Sequence, residues 1–340
     1  MTTTAQSWGI GGLGWAILLV GCGPTRNPTA LSPSLDDACI AVNAHACVQL
    51  GYLFAEGGDS GKDTALAAAL DTRACNGGAI DGCVNLGVLL VNGAGVGKDE
   101  ARAVALFSTA CERGAALGCS NLAVLLVDGR GVGKDEARGA AAYAKACDGG
   151  IAKACSNLGV LFEQGRGVVK DEARALTLYT RACDGGYPPG CYNEGVCFEH
   201  AEGLIKDEGR AATLYKRACD GGDALGCSNL GALFAGGRGV GKNEALAAAL
   251  YQKACDGGAP VGCSNLGILF EHGLGVGKDE ARAAALYTVA CDGSIVNACV
   301  NLGVLFQQGR GVSKDPARAS AAFARGCALG DQDCCAWMQR

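Results

Sequence analysis

Pairs of cysteines recur along this chain at a fixed interval. The two members of a pair are eight residues apart, and the first member returns every 36 residues. A constant period of this size is typical of repeat proteins, in which each repeat packs only against its neighbours. The period therefore predicts one elongated array, although a chain of 340 residues would otherwise suggest two domains.

Eighteen of the 21 cysteines fall into these pairs, which we predict to be disulfides formed in an oxidising compartment. A metal site would need Cys-x-x-Cys or Cys/His clusters, and the chain has only three histidines, so we expect neither a metal nor another cofactor. A tight turn between two antiparallel helices would bring the paired cysteines within disulfide distance. The predicted pairs are Cys39–Cys47, Cys75–Cys83, Cys111–Cys119, Cys147–Cys155, Cys183–Cys191, Cys219–Cys227, Cys255–Cys263, Cys291–Cys299 and Cys327–Cys335.

The N-terminal segment supplies a route to such a compartment. Residues 1–21 carry no charged side chain and contain a short apolar run, which predicts a signal peptide and not a membrane span. Leu19-Val20-Gly21-Cys22 resembles the lipobox of bacterial lipoproteins, which implies lipidation of Cys22; a plain secretory signal with an unrelated cysteine is the alternative. Gly23 follows where that family places an inner-membrane retention Asp, so we favour the outer membrane. Residues 22–34 are polar and proline-rich and predict a flexible tether before a repeat array over residues 35–340.

Each period contains two predicted helices. In one repeat, Cys119, Leu122 and Leu126 have the spacing of an amphipathic helix, which a glycine-rich loop at 129–133 ends. Asp135 can then cap a second, alanine-rich helix over residues 136–147. The predicted caps are Asp63, Asp99, Asp135, Asp171, Asp207, Asn243, Asp279 and Asp315. We therefore expect an all-α fold, a right-handed α/α superhelix of about eight 36-residue helix-loop-helix units between residues 44 and 328, with capping half-repeats at both ends.

The repeat pattern Cys-x-x-Asn-Leu-Gly-x-Leu-Phe, followed by Gly-x-Gly-Val-x-Lys-Asp and Ala-x-x-Leu-Tyr-x-x-Ala-Cys, resembles the Sel1-like repeat, a relative of the tetratricopeptide repeat. The cysteine pairs narrow the resemblance to its secreted, disulfide-rich branch, similar to the Helicobacter cysteine-rich proteins. It covers residues 36–340 and implies a scaffold that binds a peptide or protein in its concave groove. That branch is often labelled β-lactamase-like or penicillin-binding. The Ser-x-x-Lys, Ser-Asp-Asn and Lys-Thr-Gly elements of serine β-lactamases do not occur here, so we favour a non-catalytic scaffold, with a β-lactam-binding or β-lactam-hydrolysing envelope protein as the alternative.

An asparagine follows the second cysteine by two residues in seven repeats. Asparagine is a mediocre helix former, so its recurrence in the middle of a helix needs a reason. Either its amide bonds a loop carbonyl of the same or the adjacent repeat, or it lines the concave surface and both donates to and accepts from an extended peptide. The residue before it varies, as a ligand-specific exposed surface would require. The candidate peptide-binding residues are Asn85, Asn121, Asn157, Asn193, Asn229, Asn265 and Asn301.

The fifth repeat is irregular, because Glu194 and Cys197 occupy positions that are leucine elsewhere. Either the helix rotates there and bends the array, or Glu194 joins Tyr192 and His200 in a polar pocket. Cys197 has no partner in the 36-residue register, and we expect it to be a small buried apolar residue. Cys334 is also outside the register and could compete with Cys335 for Cys327.

The charge distribution bears on the partners. The net charge is −5, and the lysines and arginines are dispersed beside acidic residues, which argues against nucleic acid. We expect a monomer whose partner is a peptide or protein and whose only membrane contact is the lipid on Cys22.

Overall fold

The computed structural model describes residues 44–56, 62–200 and 206–330. Across those ranges the chain forms sixteen α-helices and no strand. The predicted signal peptide and tether, together with Cys22, Cys39, Cys334 and Cys335, lie outside the described residues. None of the described helices is long and apolar enough to cross a bilayer.

The helices form eight consecutive pairs, and every helix is 13 residues long. The first helices are α1 (Ala44–Glu56), α3 (Ile80–Asn92), α5 (Ala116–Asp128), α7 (Ala152–Gln164), α9 (Pro188–His200), α11 (Ala224–Gly236), α13 (Pro260–His272) and α15 (Val296–Gln308). The second helices are α2 (Thr64–Asn76), α4 (Glu100–Glu112), α6 (Glu136–Asp148), α8 (Glu172–Asp184), α10 (Glu208–Asp220), α12 (Glu244–Asp256), α14 (Glu280–Asp292) and α16 (Pro316–Ala328). Each helix packs on the helices before and after it in the chain. The predicted all-α array of eight helix pairs is confirmed.

Local sequence signals explain where the helices begin and end. At the start of α6, the Asp135 side chain accepts a hydrogen bond of 2.9 Å from the Arg138 amide. An equivalent bond caps the second helix of all eight helix pairs. The first helix α5 ends at Gly129, whose φ of 71° is the left-handed conformation that glycine adopts without strain. The helix α6 ends at Asp148, one residue beyond the end predicted from the sequence.

Disulfides join consecutive repeats. Seven predicted pairs, from Cys75–Cys83 to Cys291–Cys299, are bonded, with Cα atoms 4.4–4.7 Å apart. Cys47 and Cys327 are also disulfide-bonded. Each described bridge connects the end of a second helix to the first turn of the next first helix, as the sequence predicts. The junction between repeats is therefore covalently closed as well as packed.

In the six repeats whose interhelical loop the structure describes in full, that loop rests on the repeat before it. Gly131 has a φ of 68°, and a Cβ atom there would overlap the backbone between Glu100 and Ala101 at the start of α4. Beside it, the Arg130 guanidinium pairs with the Glu100 carboxylate at 2.6 Å. Glycine is thus required by both the backbone conformation and the close approach of the two repeats. Val132, from the same loop, packs against the hydrophobic core.

Gly131→Ala should destabilise the array far more than Gly133→Ala. The first change combines a left-handed alanine with a backbone overlap and should cost at least about 2 kcal/mol. The second is a matched control, because a Cβ on Gly133 meets no atom within 4 Å. Denaturant midpoints of the oxidised proteins would measure the difference. Equal midpoints would contradict the proposed close contact between loop and preceding repeat.

Candidate binding surface

In most repeats, a buried aromatic side chain on the second helix packs against the first helix. Tyr179 on α8 is 1% exposed, and its ring packs directly against Gly159 on α7, where any side chain would overlap it. The same glycine-to-aromatic contact recurs in five other repeats: Gly87–Phe107, Gly195–Tyr215, Gly231–Tyr251, Gly267–Tyr287 and Gly303–Phe323. The ring thereby fixes the distance between the two helices of its repeat.

Several of the recurring asparagines form hydrogen bonds with the residue at this position of the preceding second helix, which is a tyrosine in most of these cases and Asp71 in α2. Asn157 Nδ2 donates to the Tyr143 hydroxyl oxygen at 3.2 Å, across the junction between two repeats. The contact joins residues 14 positions apart and recurs at Asn229–Tyr215, Asn301–Tyr287 and Asn85–Asp71. Asn193 differs and donates to Ser156 Oγ at 3.2 Å. The expected loop-carbonyl partner is therefore wrong for these asparagines: the partner is a side chain of the preceding second helix or, for Asn193, of an earlier first helix.

Several tyrosine hydroxyls are also donors. Tyr215 donates to Glu199 at 2.6 Å, and Glu199 pairs with Arg238 at 2.9 Å. Burial, and then the bond to Glu199, raise the pKa of Tyr215. Tyr179 and Tyr287 donate in the same way to Glu163 and Glu271. A hydroxyl that donates to a carboxylate directs its lone pairs elsewhere, which suits it to accept from the asparagine amide.

The asparagines remain partly accessible after making these bonds. All seven are half-buried. At Asn85, Asn157 and Asn193 the amide nitrogen is the donor, which leaves the amide oxygen of these three residues as an acceptor. The residue before each asparagine was expected to be an exposed, variable contact. That expectation is wrong at five of the seven positions, because Val84, Ser120, Ser156, Ser228 and Ser264 are buried.

An aliphatic side chain lies one helical turn beyond each asparagine. Residues three apart share a helix face, so these side chains flank the amides. They are half-buried or exposed, and Val88 is 38% exposed. Several successive first helices contact one another directly, as helices on the inner side of a curved array do. The asparagine–aliphatic stripe consists of the seven asparagines with Val88, Val124, Val160, Val196, Ala232, Ile268 and Val304.

The aliphatic residues of this stripe were not predicted from the sequence. The available signal was an aliphatic residue that recurs three positions after the asparagine in all seven repeats. Neither the asparagines nor the aliphatic residues alone indicate a binding surface, since single exposed apolar residues are common on protein surfaces.

In the fifth repeat, Glu194 is buried and pairs with an arginine. Its side chain is 3% exposed and lies 3.4 Å from the Arg210 guanidinium, and burial raises the pKa of the carboxyl. Tyr192 instead packs beside Tyr215, with ring centroids 5.9 Å apart, while His200 is exposed. Of the two alternatives for this repeat, the polar pocket formed by Glu194, Tyr192 and His200 is therefore wrong.

Cys197 is free and half-buried, not fully buried as expected. Burial, followed by the nearby carboxylates of Glu163 and Glu194, raises the pKa of its thiol to about 12. The thiol is therefore protonated and unreactive at neutral pH. Among the residues that the structure describes, no three His, Cys, Asp or Glu side chains are grouped so as to hold a metal ion.

These features define an α/α repeat protein with a continuous polar–aliphatic surface. The family model of the Sel1 repeat matches residues 44–78, 80–114, 116–151, 152–187, 188–223, 224–258, 260–294 and 296–331. The chain belongs to the Sel1 repeat family, as the sequence resemblance predicted. Proteins of this family generally mediate protein–protein interaction.

Two solved structures share this fold. A protective antigen of uropathogenic Escherichia coli with an SLR fold is 25% identical, with a TM-score of 0.76 over 92% of this chain and 67% of that one. A Sel1 repeat protein from Oxalobacter formigenes is 26% identical, with a TM-score of 0.66 over 72% of this chain and 99% of that one. Helicobacter pylori cysteine rich protein B is 31% identical over 38% of this chain and 94% of its own, with a TM-score of 0.33. No curated protein matches the chain in sequence.

Asp71→Asn should stabilise the first repeats at pH 7. Asp71 is 2% exposed at the aromatic position of α2, and burial raises its pKa from 3.8 to about 6. Because the folded pKa is the higher one, its protonated form favours folding; that stability is complete below about pH 4 and lost as the pH rises through 6. Removing the charge should restore up to about 3 kcal/mol at pH 7 and little at pH 4.

Hydrogen exchange of α1 to α3 at the two pH values would report this local change. Asp81→Asn, at an exposed position of α3, is the matched control and should not increase protection at pH 7. An Asp71→Asn protein that is less protected than the wild type at pH 7 would contradict the assignment.

Proposed function

We propose that this protein is an exported, non-catalytic scaffold that binds an extended peptide or protein segment along the asparagine–aliphatic stripe. The observation that carries the proposal is the stripe itself, in which a half-buried amide and an aliphatic side chain recur once per repeat on one helix face. Such repetition matches the regular backbone of an extended chain. Solenoids generally use extended concave surfaces of this kind for binding.

The chemistry of binding follows from the amide contacts. Where a tyrosine hydroxyl holds Nδ2, as at Asn157, the amide is oriented before a ligand arrives. Its oxygen can then accept a backbone N–H from the peptide, and less side-chain freedom is lost on binding. The aliphatic residues bury the alternate face of the segment and add apolar contact area.

The proposal includes a location. The disulfides indicate an oxidising, exported location. We extend this to cleavage of the signal peptide at residues 1–21, lipidation of Cys22, a tether over 22–34 and a monomer anchored at the outer membrane. The β-lactam alternative rests on family resemblance alone.

Peptide selection would test the proposal directly. A random peptide library would be selected against the oxidised protein, and the affinity of selected peptides measured by fluorescence anisotropy. Val88→Glu combined with Val160→Glu places two carboxylates on an exposed and a half-buried stripe position and should weaken binding at least tenfold. The change introduces charge and bulk where the peptide lies, while the buried face of each helix is untouched.

Val169→Glu combined with Val289→Glu is the control, because these valines are 87% and 54% exposed and lie outside the stripe. The control protein should bind like the wild type, and all three should have the same circular dichroism and melting temperature. Selected peptides whose affinity survives the stripe substitutions in a folded protein would overturn the proposal.

A further inference from the structure

A cleft separate from the stripe lies between repeats five and six. It opens between the second helices α10 and α12, has α11 as its floor, and encloses about 450 Å³. Small-molecule sites typically enclose roughly 300–1,000 Å³ and are mostly apolar. The apolar walls here include Leu230, Phe234, Val240, Leu246 and Leu250. Leu230 and Phe234 point nearly opposite to Asn229 and Ala232 of the stripe, since successive helix residues are rotated by about 100°.

The absence of an arginine opens this cleft. In repeats four, five, seven and eight, the third residue of the second helix is an arginine that stacks over a phenylalanine of the first helix. The four pairs are Arg174–Phe162, Arg210–Phe198, Arg282–Phe270 and Arg318–Phe306, with distances of 4.1–5.3 Å to the ring centroid. Repeat six has Leu246 at that position, so no guanidinium from it covers Phe234. Leu246 is itself 39% exposed.

A second substitution enlarges the same cleft. Gly209 occupies the second position of α10, where the other seven second helices have alanine, and it lines the cleft. The equivalent cleft between α4 and α6 retains its arginine, Arg138, and encloses about 210 Å³. Repeats five and six therefore each depart from their neighbours at one position, Gly209 and Leu246, and both departures add space at one place.

The rim of the cleft carries positive charge. Lys216 and Lys253 both line it, together with one acidic residue, Asp220. Lys216 pairs with Asp220 at 2.6 Å, but both side chains are exposed, and such surface pairs contribute only about 0–1 kcal/mol. Lys253 Nζ donates to the Cys219 carbonyl at 2.9 Å, which holds its ammonium group at the rim. An anionic group placed there would meet two ammonium groups beside an apolar interior.

We propose that this cleft binds a small amphipathic anion, with an aromatic or branched aliphatic body against Phe234 and a carboxylate at Lys216 and Lys253. The shape and apolar walls select the body, and the lysines select the charge. This site is independent of the peptide-binding function, because it uses the other face of α11.

The test uses 2-naphthoate and its neutral amide, titrated calorimetrically into the oxidised full-length protein. The wild type should bind 2-naphthoate saturably at one site. Leu246→Arg restores the residue that stacks over phenylalanine in the neighbouring repeats and should weaken binding at least tenfold. Gly209→Ala should weaken it at least threefold, and its Cβ would meet only ordinary contacts, at 3.4 Å from Asp207 Oδ1 and 3.5 Å from the Gly239 carbonyl.

Two further variants separate the effect of an arginine within the cleft from that of an added positive charge elsewhere, and test the role of Lys216. Val169→Arg adds the same side chain at an exposed site away from the cleft and should leave binding unchanged. Lys216→Gln should weaken 2-naphthoate several-fold while sparing the amide. No saturable binding by the wild type, or unchanged affinity in a Leu246→Arg protein with wild-type melting, would overturn the proposal. If Leu246→Arg does not fold, unchanged affinity in Gly209→Ala overturns it. Peptide binding by Leu246→Arg would show that the stripe functions whatever the fate of the cleft.

Discussion

The junction between one repeat's second helix and the next repeat's first helix is the contact on which the structure depends. A 36-residue helix pair cannot bury its apolar faces alone, so each repeat needs its neighbours. Three interactions coincide at this junction in the described array: helix packing, a disulfide such as Cys147–Cys155, and a polar bond such as Asn157–Tyr143. The closed loops are short, and each bridge should contribute somewhat less than about 3 kcal/mol. Because stability passes from neighbour to neighbour, these contributions act along the whole solenoid.

The same junction connects the fold to the proposed function. The tyrosine that sets the spacing of two helices also orients the asparagine of the next repeat, so the binding surface is fixed by the core. The surface is regular for the same reason that the core is regular. Features specific to this protein arise where single residues depart from the repeat pattern. Glu194 is buried and pairs with Arg210, whereas Leu246 and Gly209 open a cleft at the surface.

Much of the fold could be predicted because its signals are local. Asp135 caps a helix through an amide three residues away, and a left-handed glycine ends the helix before it, so a short window of sequence suffices. The cysteine pairs were equally accessible, since a separation of eight residues across a tight turn leaves little choice of partner. The partner of Asn157 was not accessible, because Tyr143 lies on a different helix and the contact depends on how the two helices pack. The pairing of Glu194 with Arg210 was not predictable either, because the two residues are 16 positions apart on different helices. The aliphatic half of the stripe required knowing which helix face is left uncovered.

The most direct test of this account is the oxidation state of the junction cysteines in the native protein. The protein would be isolated from its host, denatured without reduction in the presence of iodoacetamide so that every free thiol is trapped, and digested for mass spectrometry. The account predicts disulfide-linked peptides joining cysteines eight residues apart, such as Cys147 with Cys155, and alkylation of Cys197. Alkylated thiols throughout the seven described junctions would contradict it, since the repeats would then be held by packing alone and the inferred oxidising location would be lost.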